Sequence, residues 1–118
     1  MYSERLLDYF RNPKHAGILP APALAIELEN PACGDIVRIT ALVEDGVIRQ
    51  AAFQVRGCTA SIACGAALAE WLHGRGLDEV RLADVAGIVE GLVGGLPAES
   101  RHAAKLMADA ARRLGGDV

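Results

Sequence analysis

Apolar and polar residues alternate along three consecutive segments in the first half of the chain: residues 23–29, 35–43 and 47–55. A period of two is typical of strands with one buried face. In the second segment Thr40 falls on the face opposite the core. Glu44–Asp45–Gly46 predicts a hairpin turn, with glycine supplying a positive φ. The residues predicted to face the core are Leu24, Ile26, Leu28, Val37, Ile39, Ala41, Val43, Ala51, Phe53 and Val55.

Helical patterns precede and follow these strand segments in the sequence. Residues 3–11 predict a short helix that Ser3 can cap, and "NPKHAG" ends it. Residues 59–73 predict an alanine-rich helix. Its predicted apolar stripe consists of Ile62, Ala66, Ala69 and Leu72.

The last part of the chain predicts a short turn at "LDEVRL" and a helix at "DVAGIVEGLV", with Asp78 and Asp84 as expected caps. Residues 99–114 predict a closing helix with acid at its start and arginines at its end, as the helix dipole favours. The expected architecture is α+β, a three-stranded antiparallel sheet with helices packed on one face. We expect residues 1–118 to form one domain.

Composition and charge argue against several classes of function. The 118 residues are 52% hydrophobic and 23% charged, as in globular proteins, and the net charge of −3 argues against a nucleic-acid partner. No apolar run approaches the roughly 20 residues needed to cross a bilayer, so no membrane association is expected. The charged start, "MYSERLLDYFRN", lacks the apolar core of a signal peptide, which predicts a cytoplasmic protein.

Three cysteines in such a chain are core thiols, metal ligands or nucleophiles. Cys33 and Asp35 in "NPACGDIV" point to the same side of an extended backbone and can share one ion. On this stretch alone a polar turn beside a core thiol is the simpler interpretation, because two ligands do not hold a metal. Cys58 is expected at a helix start, where unpaired amides stabilise a thiolate. Cys64 lies about 240° further round that helix and is expected in the core.

The three histidines cannot be assigned to a metal site from their sequence positions alone. His15 and His73 are expected to be surface or capping residues. His102 lies in the first turns of the closing helix. It joins the cysteines only if that helix returns to the sheet end where they lie.

Four features in order, "MYSERLLDYFRNPKHAG", "NPACGD", "GCTASIA", and "LP" followed by a histidine-bearing last helix, resemble the U-type iron–sulfur cluster scaffold proteins (IscU/NifU-like). The resemblance runs from residue 1 to about residue 114. It implies a SufE/NifU-like α+β fold with a shallow site formed by Cys33, Asp35, Cys58 and His102. These positions would bind a [2Fe–2S] cluster or iron, or zinc in the cluster-free form.

The resemblance also implies partners. A cysteine desulfurase would deliver sulfur, and acceptor apoproteins would receive the cluster. Such a protein is a monomer or weak homo-oligomer and is not an enzyme, because it donates what it assembles.

The chain departs from the family at Ala103, where the resemblance calls for a third cysteine after the site histidine. "LPAES" also replaces the chaperone-binding "LPPVK" stretch. Two alternatives to a cluster scaffold therefore stay open. One is an assembly-deficient homologue that keeps a mononuclear zinc or iron ion and has a structural or regulatory role toward a desulfurase. The other is a protein without metal.

Overall fold

The computed structural model describes residues 1–31 and 34–116. Within these residues the order of elements is α1 (Glu4–Arg11), β1 (Leu24–Glu29), β2 (Ile36–Glu44), β3 (Val47–Arg56), α2 (Thr59–Leu72), α3 (Leu77–Leu82), α4 (Val85–Leu92), a 3₁₀ turn at Ala98–Ser100, and α5 (Arg101–Leu114).

The strands form one antiparallel sheet in the order β1-β2-β3, which confirms the predicted meander. Ile39 of β2 lies opposite Ile26 of β1 and Phe53 of β3. The hairpin between β2 and β3 turns through Asp45 and Gly46, whose φ angles are 52° and 74°. Two consecutive positive φ angles belong to the tight turn that matches the twist of paired strands.

α2 is the central helix, and it is buried on almost every side. It packs on β3 and also contacts α1, α4 and α5. A Cβ atom on Gly65 would lie 2.7 Å from Val55 Cγ2, so the missing side chain lets the helix lie close to the sheet. Ala66, Ala69 and Leu72 of the predicted stripe are buried as expected, but burial is not limited to one stripe. Ile62 is only partly buried, and the small residues around the rest of the helix are covered by neighbouring helices.

The connector between α1 and β1 first pairs with the free edge of β3 and then reaches the outer face of the sheet at Thr40. The Gly17 N–H donates to the Phe53 carbonyl at 2.8 Å, and the Phe53 N–H donates to the His15 carbonyl at 3.0 Å. Thr40 lies on this outer face as expected but is buried, because its Oγ1 accepts the Leu19 N–H at 3.0 Å. An alternating pattern shows which face a residue occupies, not whether a loop covers that face.

Most helix ends follow the sequence. The closing helix, predicted over 99–114, begins at Arg101, after the 3₁₀ turn that contains the acidic Glu99. Ser3 Oγ accepts the Leu6 N–H at 3.0 Å, and Asp84 accepts the Gly87 N–H at 3.2 Å, so both predicted caps are confirmed. Asp78 is not a cap. Gly76 precedes α3, a short helix where a turn was expected, and Asp78 instead pairs with Arg81 at 2.7 Å. No helix in residues 1–31 and 34–116 has both the length and the apolar content to cross a bilayer.

Candidate metal centre

Three side chains from separate parts of the chain meet at one end of the sheet. Asp35 directly precedes β2, Cys58 lies between β3 and α2, and His102 lies in the first turn of α5. The first residue of β2 pairs with the last residue of β3, so Asp35 and Cys58 are brought to the same edge. One potential ligand atom from each of the three residues lies within 4.8 Å of the other two.

Asp35 is held in a buried position by the turn before β2. Its carbonyl accepts the Asn30 N–H at 2.8 Å, and the Gly34 N–H donates to the Asn30 carbonyl at 2.7 Å. Gly34 has a φ of 76°, a conformation that side-chain-bearing residues rarely adopt. Asp35 is 7% exposed, so its carboxylate needs partners from the protein or from a cation.

Gly57 leaves the space that the Asp35 carboxylate occupies. A Cβ atom at Gly57 would lie 2.6 Å from Cγ, 2.7 Å from Oδ1 and 2.9 Å from Oδ2 of Asp35. Real Cβ atoms essentially never make such contacts, so a larger residue at 57 would displace the carboxylate. The role of Gly57 is therefore close approach. The strand pattern of the sequence does not indicate this role.

Cys58 is the N-cap residue of α2, as the sequence predicts, and it is exposed. Its Sγ lies 3.7 Å from Asp35 Oδ2 and 3.4 Å from Ser61 Oγ. The unpaired amides of the first helical turn favour negative charge nearby. The thiol is thus open to solvent on one side and faces a carboxylate on the other, an arrangement that a cation stabilises.

His102 presents its Nε2 atom to the site. The opposite ring nitrogen, Nδ1, lies 3.1 Å from the Glu99 carbonyl. A carbonyl only accepts, so this contact needs a proton on Nδ1 and leaves a lone pair on Nε2 in the neutral ring. Nε2 lies 3.9 Å from Asp35 Oδ2. α5 therefore does return to the sheet end that carries Cys58.

The other two cysteines are Cys33 and Cys64. Cys33 lies outside the described residues, so its ligand role remains a prediction. Cys64 is fully buried in the core, as expected. Burial, together with the negative charge that Cys58 and Glu90 can carry, raises the pKa of the Cys64 thiol to about 12.

The remaining histidines lie away from these residues. His15 and His73 stack with ring centroids 4.0 Å apart. His73 is the C-cap residue of α2, with Nδ1 2.8 Å from the Ala69 carbonyl and Nε2 accepting the Ala51 N–H at 3.4 Å. His73 thus fits the expected capping role, although its stacking with His15 was not predicted.

Sequence reasoning missed Ser61, which is fully buried and donates to Asp35 Oδ2 at 2.5 Å. A serine in an alanine-rich helix looks like a small packing residue. The available signal was its spacing, because a residue three positions after Cys58 lies on the same helix face.

The donor set suits a metal ion. A thiolate, a carboxylate and a neutral imidazole are ligands that zinc accepts, and iron accepts the same types. His102 also lines an adjacent groove of about 600 Å³ between the end of β1 and α5. Cys58 is exposed and His102 is half-buried, so the centre can be reached from solvent on that side, while Asp35 is buried behind them.

Comparison with known proteins identifies relatives from a single family. The family described as "NifU-like N terminal domain" matches residues 1–114. The iron–sulfur cluster assembly scaffold protein IscU 1 of Archaeoglobus fulgidus is 35% identical over 113 residues, which covers 96% of this chain and 73% of the relative. The scaffold protein IscU of Azotobacter vinelandii is also 35% identical, with 92% of this chain and 87% of the relative covered.

Solved structures share the fold. The N-terminal part of a nitrogen-fixing NifU-like protein from Brucella abortus superposes with a TM-score of 0.65 at 25% identity, covering 95% of this chain and 78% of that one. The three-stranded sheet with its helical layer is thus the architecture of these relatives.

Proposed function

This chain belongs to the NifU-like N-terminal domain family, and from that premise we propose that it is an iron–sulfur cluster assembly scaffold. It binds a [2Fe–2S] cluster or iron as cargo and passes that cargo to acceptor proteins. Sulfur comes from a cysteine desulfurase. The protein is not an enzyme, because the cluster leaves as a donated product.

The observation that carries this proposal is the convergence of Asp35, Cys58 and His102 within 4.8 Å. We assign these three residues, with Cys33, as the ligands of the cargo. Thiolates are the ligands that iron–sulfur clusters prefer, and histidine replaces cysteine in some clusters. A carboxylate is a harder partner for such a cluster and binds it less firmly. This mixed set therefore suits cargo that has to be released.

Accessibility supports the same role. Cys58 is exposed, His102 is half-buried, and Asp35 is the buried member of the group. A thiol at the surface can receive sulfur or iron from one protein and surrender a cluster to another without unfolding of the core. The Asp35 carboxylate, which lies behind the thiol, is held in place by the fold.

A second candidate function rests on Ala103. At this position, where the sequence resemblance calls for a cysteine, the chain carries a methyl group that is fully buried. Without that thiol, the same ligands would hold a single zinc or iron ion. The protein would then stabilise or regulate a cysteine desulfurase.

Anaerobic reconstitution separates the two. The protein is incubated with iron, cysteine, a cysteine desulfurase and a thiol reductant that reduces the persulfide sulfur to sulfide, and bound iron, acid-labile sulfide and visible absorption are measured on one sample. A scaffold gains charge-transfer absorption and labile sulfide, and Cys58→Ser abolishes both, whereas Cys64→Ser retains them. Protein that stays colourless with one zinc per chain would contradict the scaffold function and support the second candidate.

A further inference from the structure

We propose that Ser61 is a positioning residue of the metal centre: its hydroxyl fixes the Asp35 carboxylate beside Cys58 and His102 and so raises the affinity of the centre for a metal ion. This inference rests on the proposed function, because it assumes that Asp35 is a ligand.

The contacts of Ser61 are specific. Its Oγ lies 2.5 Å from Asp35 Oδ2 and 3.4 Å from Cys58 Sγ, and the side chain has no exposed surface. A carboxylate only accepts, so the single hydroxyl proton of Ser61 is donated to Asp35. Toward Cys58 the hydroxyl oxygen is then an acceptor.

The acceptor atom is the one that faces the centre. Oδ2 of Asp35 lies 3.7 Å from Cys58 Sγ and 3.9 Å from His102 Nε2. The hydrogen bond from Ser61 therefore acts on the carboxylate oxygen that the other two donors approach. Hydrogen bonds to ligating carboxylates orient them, and losing one typically lowers metal affinity about 10–100-fold.

The residue beside the carboxylate supplies no side-chain donor to it. The carboxylate occupies the space that the missing side chain of Gly57 leaves, and any Cβ there would collide with the acid. A side-chain hydrogen bond that orients the carboxylate therefore has to come from another part of the chain. Ser61 supplies this donor from α2, a helix that neighbouring elements cover on almost every side.

A purely structural role for Ser61 makes a different prediction. If Ser61 only fills space in the packed helix α2, its loss lowers folding stability and changes metal affinity equally whether or not Asp35 is present. If it acts through Asp35, its effect on affinity disappears once Asp35 is removed. A double-mutant cycle measures this difference.

The experiment titrates metal-free protein with Co²⁺ and follows the thiolate-to-cobalt and d–d absorption bands. The proteins are wild type, Ser61→Ala, Asp35→Ala and the double variant. Thr40→Val is the matched control, because it removes another buried hydroxyl from the outer face of the sheet. Ser61→Thr keeps the hydroxyl and tests rescue. Circular dichroism without metal establishes that each protein is folded at the titration temperature.

We expect Ser61→Ala to weaken Co²⁺ binding about tenfold or more and to shift the d–d bands. Thr40→Val and Ser61→Thr should bind like wild type, and Ser61→Ala should have no further effect in the Asp35→Ala background. Unchanged affinity in Ser61→Ala, or an equal loss in both backgrounds, would overturn this inference alone. Failure of folded wild type to bind Co²⁺ would overturn the proposed function as well.

Discussion

The Nε2 atom of His102 lies 3.9 Å from the Oδ2 atom of Asp35, which links the first turn of α5 to the residue that precedes β2. Asp35 and His102 lie far apart in the sequence, so no turn or single element brings them together. The contact exists because α5 packs against β1 and β2 as well as against α4 and α2. A metal ion held by both residues would therefore stabilise the packing of the last helix on the sheet.

This coupling predicts a metal-dependent melting temperature. Zinc that binds the native centre and not the unfolded chain should stabilise the protein by about 2.7 kcal/mol at a concentration 100 times its dissociation constant. Thermal melts with zinc and with a chelator at neutral pH measure the effect. The difference should vanish in Cys58→Ser. Identical melts for wild type under both conditions would count against a metal site.

Gly57→Ala should disrupt the centre through a steric clash. The added Cβ would lie 2.6 Å from Asp35 Cγ, so the carboxylate has to move. Overpacking of this kind costs about 1–3 kcal/mol, and zinc affinity should fall with it. Gly91→Ala is the control, since nothing lies within 4 Å of its Cβ position in α4, and a helical alanine is favoured by about 0.5–1 kcal/mol. Unaltered zinc affinity in Gly57→Ala would show that the position of Asp35 is unimportant.

The exposed and buried thiols should differ sharply in reactivity. Burial raises the pKa of Cys64 to about 12, so almost none of it is thiolate at neutral pH, whereas Cys58 is exposed. Brief alkylation of metal-free native protein should label Cys58 and spare Cys64 until denaturant is added. Mass spectrometry of the separated peptides reads both sites in one sample. Rapid labelling of Cys64 in the native state would mean that the core opens.

His15 predicts a loss of stability in acid. Partial burial, and then the charge of His73, lower the pKa of His15 below its usual 6.5. Lys14 also lowers it, while Glu70 opposes the shift. The unfolded chain therefore binds a proton more readily, so this contribution is present above pH 6.5 and is lost as pH falls through the lowered pKa.

Asparagine is the substitution that isolates this effect. His15 has a φ of 66°, a left-handed conformation that asparagine tolerates well, so His15→Asn removes the imidazole without imposing new backbone strain. Urea unfolding at pH 7 and pH 5.5 should show a smaller loss of stability on acidification in His15→Asn than in wild type. An equal loss in the two proteins would place the acid sensitivity elsewhere.

Much of the fold follows from local patterns. The strand pairing, the Asp45–Gly46 turn and the caps at Ser3 and Asp84 each depend on residues close together in sequence, and the structure confirms them. The predicted core position of Leu24 was wrong, since this residue at the start of β1 is exposed. The burial of Thr40 could not be predicted in this way. It depends on where the connector before β1 lies, and nothing in the period of a strand encodes that.

Part of the site also follows from local patterns, and the rest depends on tertiary packing. Asp35 and Cys58 flank the β2–β3 hairpin, so pairing of the two strands is sufficient to bring them together. The position of His102 depends on the packing of a whole helix, which only the family resemblance suggested. Ser61 was missed because a buried serine and a packing alanine look alike until the partner of the hydroxyl is known.

Donors from three separate parts of the chain are proposed to surround one inorganic centre. X-ray absorption at the zinc edge of zinc-loaded wild type and His102→Ala identifies the atoms bound to the metal. We expect sulfur at about 2.3 Å together with nitrogen or oxygen at about 2.0–2.1 Å, and loss of the imidazole scattering in the variant. A shell of oxygen atoms alone, or an identical spectrum in His102→Ala, would contradict this set of ligands.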